Sequence, residues 1–323
     1  MGYFNAGILS RTIILAVVIA GMVGVCPTQA LFAQDLAPRA YVVGPIHINA
    51  VTLTYTSLDG GVLFNNVLPI TDSNATIHVS AVTFYHSMDI FGRSANFTAS
   101  LPYGVGNFEG TYIDNTKKQY HSGLLDPIFR FSINLAGGPA MTVEEYKSWR
   151  QKTILGASLK VVVPLGQYDG SKFINNGTNR WTFKPQLGYS RRLGHWVIDG
   201  YGAVWFFTTN KEFFSHNAIV PGDQSLSQQP IGDFETHLSY NVTPRLWVSL
   251  DGSVWFGGST SLNGVRTPGT GQLSSLIGAT FSFPRGKHQS IKISYDDTDY
   301  VKFGGSYQRV SVGWQYTWLG RPK

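Results

Sequence analysis

Apolar and polar residues alternate along most of the chain after residue 50. In residues 181–190 every odd position is apolar or aromatic and most even positions are polar. A period of two is typical of a β-strand whose faces meet different surroundings. The pattern predicts twelve strands. Their lengths are close to the roughly 9 to 11 residues that a tilted strand needs to cross a bilayer. They are 51–57, 76–86, 94–101, 128–135, 154–163, 181–190, 195–206, 231–242, 246–256, 274–283, 290–296 and 307–318.

Charged residues within the predicted strands fall on the polar face only. Alternation alone does not separate a membrane barrel from a soluble sandwich, because both have one apolar face. The polar face here carries mostly Ser, Thr, Asn, Gln and Gly instead of the Lys and Glu of a soluble sheet, which indicates a wet lumen. The predicted lumen-lining set is Arg130, Lys160, Lys184, Asp199, Asp233, Glu235, His237, Asp251, Lys292, Asp296 and Arg309. Its acidic and basic members are expected to oppose one another and to set a transverse field.

Aromatic residues cluster on the apolar face near strand ends, as in the girdles of membrane barrels. The predicted interface aromatics are Trp181, Trp196, Tyr240, Trp314, Tyr316 and Trp318. Long and short connections alternate between the strands, which is typical of outer-membrane barrels. We therefore predict an all-β fold: a single antiparallel up-and-down transmembrane barrel of about twelve strands, spanning residues 50–319. An even strand number places both termini on the short-turn, periplasmic side.

One predicted inner connection, 136–152, is long. Thr142 and Glu145 have the spacing of a capping box, which predicts a short inner-side helix at about 142–150.

Residues 1–33 have the features of a secretory signal peptide, with an apolar run at 12–25 and small residues before two candidate cleavage sites, after Ala30 or Ala33. An N-terminal membrane anchor is the alternative, but the run is shorter than the roughly 20 residues that a spanning helix needs. Residues 34–49 are then an N-terminal extension or plug, and 320–323 a short tail. The only cysteine, Cys26, would leave with the signal peptide.

Composition excludes several functions. Only 14% of residues are charged, and the net charge of +6 is not gathered into a basic run, so nucleic-acid binding has little support. No cofactor motif is present. Asp233, Glu235 and His237 share one strand face, but their spacing suits a polar network better than a metal site. Some serine and histidine residues are spaced so that they could pair, but no nucleophile-elbow motif accompanies any of them. We therefore expect that the protein is not an enzyme, with a lipid hydrolase as the weaker alternative.

The last strand resembles the closing signal that bacterial barrel-assembly machinery recognises. Ser311, Gly313, Tyr316 and Trp318 carry the resemblance, which implies this machinery as a partner. The sequence departs from the pattern in its tail, because such proteins usually end on the aromatic residue.

The chain from residue 36 resembles the family of MetA-pathway of phenol degradation proteins, which are transporter-like barrels. The segments that carry the resemblance are 36–41, 101–107, 122–126, 137–141, 163–168, 179–181 and 205–210. The resemblance implies a Gram-negative outer-membrane channel, embedded in lipid, for passive uptake or efflux of small organic compounds, with aromatic or apolar ones as candidates. The alternative is a structural barrel with a blocked lumen whose outer loops, chiefly 207–230, bind a partner. The sequence does not specify an oligomeric state.

Overall fold

A computed structural model describes residues 36–63, 70–112, 115–172, 174–217 and 220–320. The predicted signal peptide with its cleavage sites, and tail residues 321–323, lie outside these ranges. None of the described helices is long and apolar enough to cross a bilayer.

Sixteen strands and one helix of more than one turn make up the described chain. They are β1 Ile48–Leu63, β2 Ile70–Ile90, β3 Arg93–Tyr112, β4 Asn115–Leu124, β5 Ile128–Ala136, α1 Val143–Ser148, β6 Thr153–Val162, β7 Thr182–Leu193, β8 Trp196–Phe207, β9 Leu226–Gln228, β10 Ile231–Asn241, β11 Trp247–Gly257, β12 Thr260–Leu262, β13 Val265–Arg266, β14 Gln272–Arg285, β15 Gln289–Val301 and β16 Gly304–Leu319.

The strands close into an antiparallel barrel. β4 and β5 pair with successive halves of β3, so together they fill one place in the wall, and the ring has twelve places. β1 pairs with β16 from Ile48↔Leu319 to Leu63↔Gly304, which joins the two ends of the chain. Strands β9, β12 and β13 form a separate small sheet. The prediction of a closed twelve-stranded barrel is confirmed.

The barrel has two unlike ends. At one, called the turn end, the connections are short, as at Gly194 between β7 and β8, except for the segment that holds α1. At the other, called the loop end, residues 163–181 and 208–225 form long connections. α1 begins at the predicted capping box: the Glu145 amide donates to Thr142 Oγ1 (3.4 Å) and the Thr142 amide donates to Glu145 Oε2 (2.8 Å). The Thr142 amide and the Thr142 hydroxyl (2.9 Å) both donate to Glu145 Oε2, which stabilises the carboxylate and lowers the pKa of Glu145.

Side-chain alternation sets the two faces of the wall. Along β10, Asp233, Glu235 and His237 are buried inside, whereas Phe234 is 52% exposed on the outer surface. On β11, Leu250 is 66% exposed. A broad outward face of Leu, Val, Ile and aromatic side chains is what a bilayer-facing surface requires.

β2 and β3 are longer than the alternation predicts. The predicted strands 76–86 and 94–101 become Ile70–Ile90 and Arg93–Tyr112, and β4 lies in the stretch between the predicted strands 94–101 and 128–135. At roughly 3.3 Å per residue and a tilt of about 40°, twenty residues rise about 50 Å, twice the roughly 25 Å apolar band. Beyond that band the outer face no longer meets lipid and need not be apolar, so the period-two signal weakens although the strands continue.

The wall is interrupted between β4 and β5 at residues 125–127. The fully buried Asp126 accepts from the Gly166 amide through Oδ1 (2.8 Å), and from the Thr178 amide and Oγ1 through Oδ2 (2.9 and 2.6 Å). Pro127 has no amide hydrogen to give to a ladder. The connection between β6 and β7 is thereby tied to the break in the wall.

Candidate functional site

The barrel lumen is the candidate functional site, and its two sides differ. The wall of β7, β8, β10 and β11 is packed with hydrogen-bonded charged side chains. The wall of β1, β15 and β16 borders a water-accessible cavity. Neither side is an apolar core of the kind that fills a soluble barrel.

Lys184 is the centre of the packed side. Its ammonium contacts the carboxylates of Asp233 and Glu235 (2.9 Å to Glu235 Oε1), and its side chain is 3% exposed. The same ammonium lies 4.8 Å from the centroid of the Trp205 indole ring, whose N–H donates to Asp233 Oδ2 (3.3 Å). Gln186 donates to Glu235 Oε1 (3.2 Å). Burial of two carboxylates is thus compensated by one cation and by neutral donors.

A second group of contacts surrounds Asp251. His237 Nδ1 lies 2.8 Å from Asp251 Oδ1, and Ser249 donates to both carboxylate oxygens (2.9 and 3.1 Å). Thr280 donates to Oδ2 (2.8 Å). The Ser249 hydroxyl therefore donates to the Asp251 carboxylate and not to His237, so Ser249 and His237 are not arranged as a nucleophile and its base. Tyr201 covers the imidazole, with ring centroids 5.1 Å apart.

Residues 36–47 lie inside the barrel. Tyr41 is 1% exposed, and its ring lies against Gly156 and Gly188, which are paired across β6 and β7. Its hydroxyl lies 3.1 Å from Ser158 Oγ and donates to Gln186 Oε1 (3.0 Å). Glycine is required at both wall positions, because any Cβ there would overlap the ring.

Followed backward from residue 47 to residue 36, the segment leads from the turn end into the barrel toward the loop end. Near the turn end the Ile46 amide donates to Met141 O (2.8 Å). Arg39 donates to Asn241 Oδ1 (2.6 Å), and its guanidinium lies 4.4 Å from the centroid of the Trp247 ring. Farther in, Leu36 packs beside the buried Trp205 cluster. The N-terminal chain thus occupies much of the packed side of the lumen.

The open side of the lumen holds a cavity of about 690 Å³. Three consecutive inward positions of β1, Thr52, Thr54 and Thr56, face it, and β16 adds Ser311 and Gln315. Hydroxyl and amide groups link these strands across the cavity wall. Thr56 Oγ1 lies 2.8 Å from Ser311 Oγ, and Gln315 donates to Thr52 Oγ1 (3.3 Å). Such a lining can hydrate or bind a polar solute.

The predicted lumen residues all lie on inward strand positions, but only three of the eleven line the cavity: Lys160, Lys292 and Arg309. Arg309 Nε contacts Asp296 (2.9 Å). Arg130 lies over the Tyr41 ring, with Cζ 5.2 Å from the centroid. The rest belong to the packed side: Lys184, Asp199, Asp233, Glu235, His237 and Asp251. The expected opposition of acids and bases across open water is therefore replaced by direct contact within the packed wall.

The predicted interface aromatics lie on the outer face. Trp181 and Trp196 are 43% and 46% exposed, and the Trp196 ring meets Tyr240 edge to face, with centroids 4.8 Å apart. Tyr316 and Trp318 stack with centroids 6.0 Å apart. Trp314 is 36% exposed, whereas Ser311 and Gly313 on the same strand line the cavity.

Tyr41, Arg39 and Trp205 organise the lumen and were not predicted. The predicted extension or plug at 34–49 includes Tyr41 without singling it out, and an inward glycine on each of two neighbouring strands was the further signal for it. Gly156 and Gly188 supply that pair, but sequence spacing does not state which ring fills the gap. Within the described residues, no group of His, Cys, Asp or Glu is arranged to hold a metal ion.

Comparison with known proteins places the chain in a family. The sequence profile described as "Putative MetA-pathway of phenol degradation" matches residues 48–312. The chain belongs to this family. The crystal structure of an outer membrane channel from Pseudomonas putida F1 has the same fold as this chain. The two align with a TM-score of 0.70 at 16% sequence identity, over 88% of this chain and 100% of that one.

Two further solved barrels align less well with this family member. The beta domain of the Bordetella autotransporter BrkA has a TM-score of 0.48 at 12% identity, over 84% of this chain and 99% of that domain. A mutant of the monoaromatic hydrocarbon channel TodX has a TM-score of 0.43 at 9% identity, over 86% and 91%. No curated protein sequence matches the chain.

Proposed function

We propose that this family member is an outer-membrane channel through which small organic molecules pass without energy input. The observation that carries the proposal is a cavity with polar and apolar lining inside a closed barrel whose outer face is apolar. A volume of about 690 Å³ is within the roughly 300–1,000 Å³ of small-molecule sites, so one small organic molecule fits at a time. The P. putida channel of the same fold supports the proposal.

The N-terminal segment acts as a constriction in this proposal. Tyr41 fills the lumen beside the cavity and leaves only one side of the barrel open. Passage is then slow while the segment stays seated. The turn end faces the periplasm with both termini, after removal of a signal peptide, and the loop end faces the exterior.

Conductance in planar bilayers tests the proposal. The folded protein should carry ionic current, and Tyr41→Ala should raise its mean conductance because the constriction is lost. Tyr120→Ala is the matched control, because Tyr120 is 62% exposed on β4 and lies outside the lumen. Absence of current in the wild type and in Tyr41→Ala would contradict the proposal.

A blocked structural barrel is the second candidate. The packed charged wall and the seated Tyr41 favour it, because both fill lumen volume that a wide pore would leave to water. In the same experiment this candidate predicts no current from any variant and no swelling of solute-loaded liposomes.

We also propose that barrel-assembly machinery recognises the final strand. Tyr316 and Trp318 project outward near the turn end, where a membrane-embedded partner can contact them. Ser311 and Gly313 project inward and line the cavity. Recognition therefore uses the outward pair directly, and the inward pair through the backbone of the strand.

A further inference from the structure

The charges that line the cavity have one sign. Its charged side chains are Lys160, Arg245, Lys287, Lys292 and Arg309, with His288 beside them. No aspartate or glutamate is among the described residues that line it. The whole chain, by contrast, holds 19 acidic residues against 25 basic ones. The cavity is thus far more positive than the composition requires.

The acidic side chains of the lumen are held away from the cavity. Asp233 and Glu235 contact Lys184 and are 1% and 2% exposed. Asp251 is surrounded by donors, and Asp296 contacts Arg309. A carboxylate that is buried and compensated in this way attracts few cations into the neighbouring water.

The positive groups follow the length of the cavity. Arg245 and Lys287 lie at the turn end, where Arg245 donates to Gly286 O (2.7 Å) and Gln289 O (3.0 Å), which fixes its guanidinium. Lys292 lies farther in, paired with Gly313 on the neighbouring strand. In the described part of the chain, neither Lys287 nor Lys292 forms an ion pair with a protein carboxylate.

The far end of the cavity carries a group of apolar side chains. Leu58, Val79, Pro102, Leu125 and Ile128 line it there. Two cations lie beside them: Arg309, the register partner of Leu58, contacts Asp296, and Lys160 Nζ lies 5.5 Å from the centroid of the Trp205 ring. Leu58 is four residues along β1 from Thr54, which shares a register level with Lys292, so roughly 13 Å of strand separates the ammonium level from the apolar end. Hydroxyl groups of β1 and β16 lie between them.

We infer that the cavity is a binding site for small organic monocarboxylates. The carboxylate binds at Lys292, supported by Lys287 and Arg245, and the hydrocarbon body lies toward Leu58 and Leu125. Charge-assisted hydrogen bonds and apolar contact then recognise opposite ends of one molecule. This inference rests on the proposed function for its physiological meaning, since the bound anion would be the solute that passes.

Equilibrium binding tests the site without requiring conduction. Sodium benzoate and benzyl alcohol, which have the same ring but differ in charge, are titrated by calorimetry into the folded protein in neutral detergent. Benzoate should bind at least about tenfold more tightly, and raising the salt concentration should weaken benzoate more than the alcohol. Equal affinities for the two probes would overturn the inference.

Matched variants locate the site. Lys292→Gln and Lys287→Gln should each weaken benzoate about fivefold and leave benzyl alcohol unchanged, because each removes one charge-assisted contact. Lys147→Gln is the control, because Lys147 is exposed on α1 at the same end and contacts Glu144. Equal losses in all three variants would overturn the assignment. Heat-modified gel migration checks that each variant is folded.

Reversal potentials separate this inference from the proposed function. Under a potassium chloride gradient the wild type should favour chloride, and Lys292→Gln should shift the potential toward zero. Current that is selective for potassium would overturn the inferred anion site but would leave the proposed channel function standing. A protein that binds benzoate but carries no current would overturn the channel and keep the site.

Discussion

Gly188→Ala is the sharpest test of the seated N-terminal segment. A Cβ at Gly188 would lie 2.1 Å from Tyr41 Cε2 and 2.5 Å from Cδ2, whereas carbon atoms in contact stay about 3.5–4.0 Å apart. The ring would have to move by roughly 1.5 Å. The Tyr41 ring also lies against Gly156, so it cannot move aside along the wall and must lose its contact with both glycines. We expect the ring to leave its site.

The size of the effect follows from what Tyr41 loses. Exposing a buried tyrosine of roughly 200 Å² costs about 5 kcal/mol, and regained conformational freedom offsets about 2 kcal/mol of this. A net loss of about 3 kcal/mol raises the population of the released segment roughly a hundredfold. Gly200→Ala should have no such effect, because nothing lies within 4 Å of a Cβ at Gly200 on the adjacent strand.

Cysteine labelling measures the release. Val43 is 1% exposed in the same segment, so Val43→Cys reports seating when Cys26, the only native cysteine, is replaced by serine. A water-soluble maleimide should label it about a hundredfold faster in Gly188→Ala than in Gly200→Ala. Equal labelling rates in the two backgrounds would refute the argument.

Three further substitutions test the wall. Leu53→Lys should destabilise the barrel by about 2–4 kcal/mol in urea titrations in vesicles, whereas Thr54→Lys, at the same depth but facing the cavity, should cost little; equal costs would contradict the face assignment. Lys184→Met should cost about 3–5 kcal/mol in the same titration, because Asp233 keeps a buried charge without its cation; an unchanged midpoint would show that the contact is dispensable. Trp318→Ala should lower the fraction of heat-modifiable barrel recovered from outer membranes, and full recovery would remove the assembly proposal.

The strand faces could be predicted because a bilayer makes alternation strict. Wherever one face meets lipid, every second residue must be apolar, and the pattern therefore reports both the strand and its orientation. The same reasoning fails above the membrane, where β2 and β3 continue although their outer face no longer meets lipid. It also missed the interruption at Asp126, since that depends on bonds to a distant loop.

The lumen was harder to predict than the wall. Parity identifies which charges point inward, but it does not say which of them meet. Lys184 joins Asp233 and Glu235 across the interior from β7 to β10, two strands that are not neighbours. The N-terminal segment fills space that an alternation argument leaves to water. The inward-facing residues include both acidic and basic side chains, so their sequence positions alone did not predict that the charged residues lining the cavity are all basic.

In the proposed channel, the strands that hold the charged network and the strands that line the cavity are mostly different ones. Because β7, β8, β10 and β11 carry the interlocked charges, substitutions there change whether the barrel holds together. The opposite strands β1, β15 and β16 line the cavity with hydroxyl side chains and with Lys292 and Arg309, and most of these side chains lie outside the packed network. In the proposed channel, selectivity can therefore diverge among relatives along these three of the twelve places, one quarter of the circumference, while the remaining wall preserves the shared architecture.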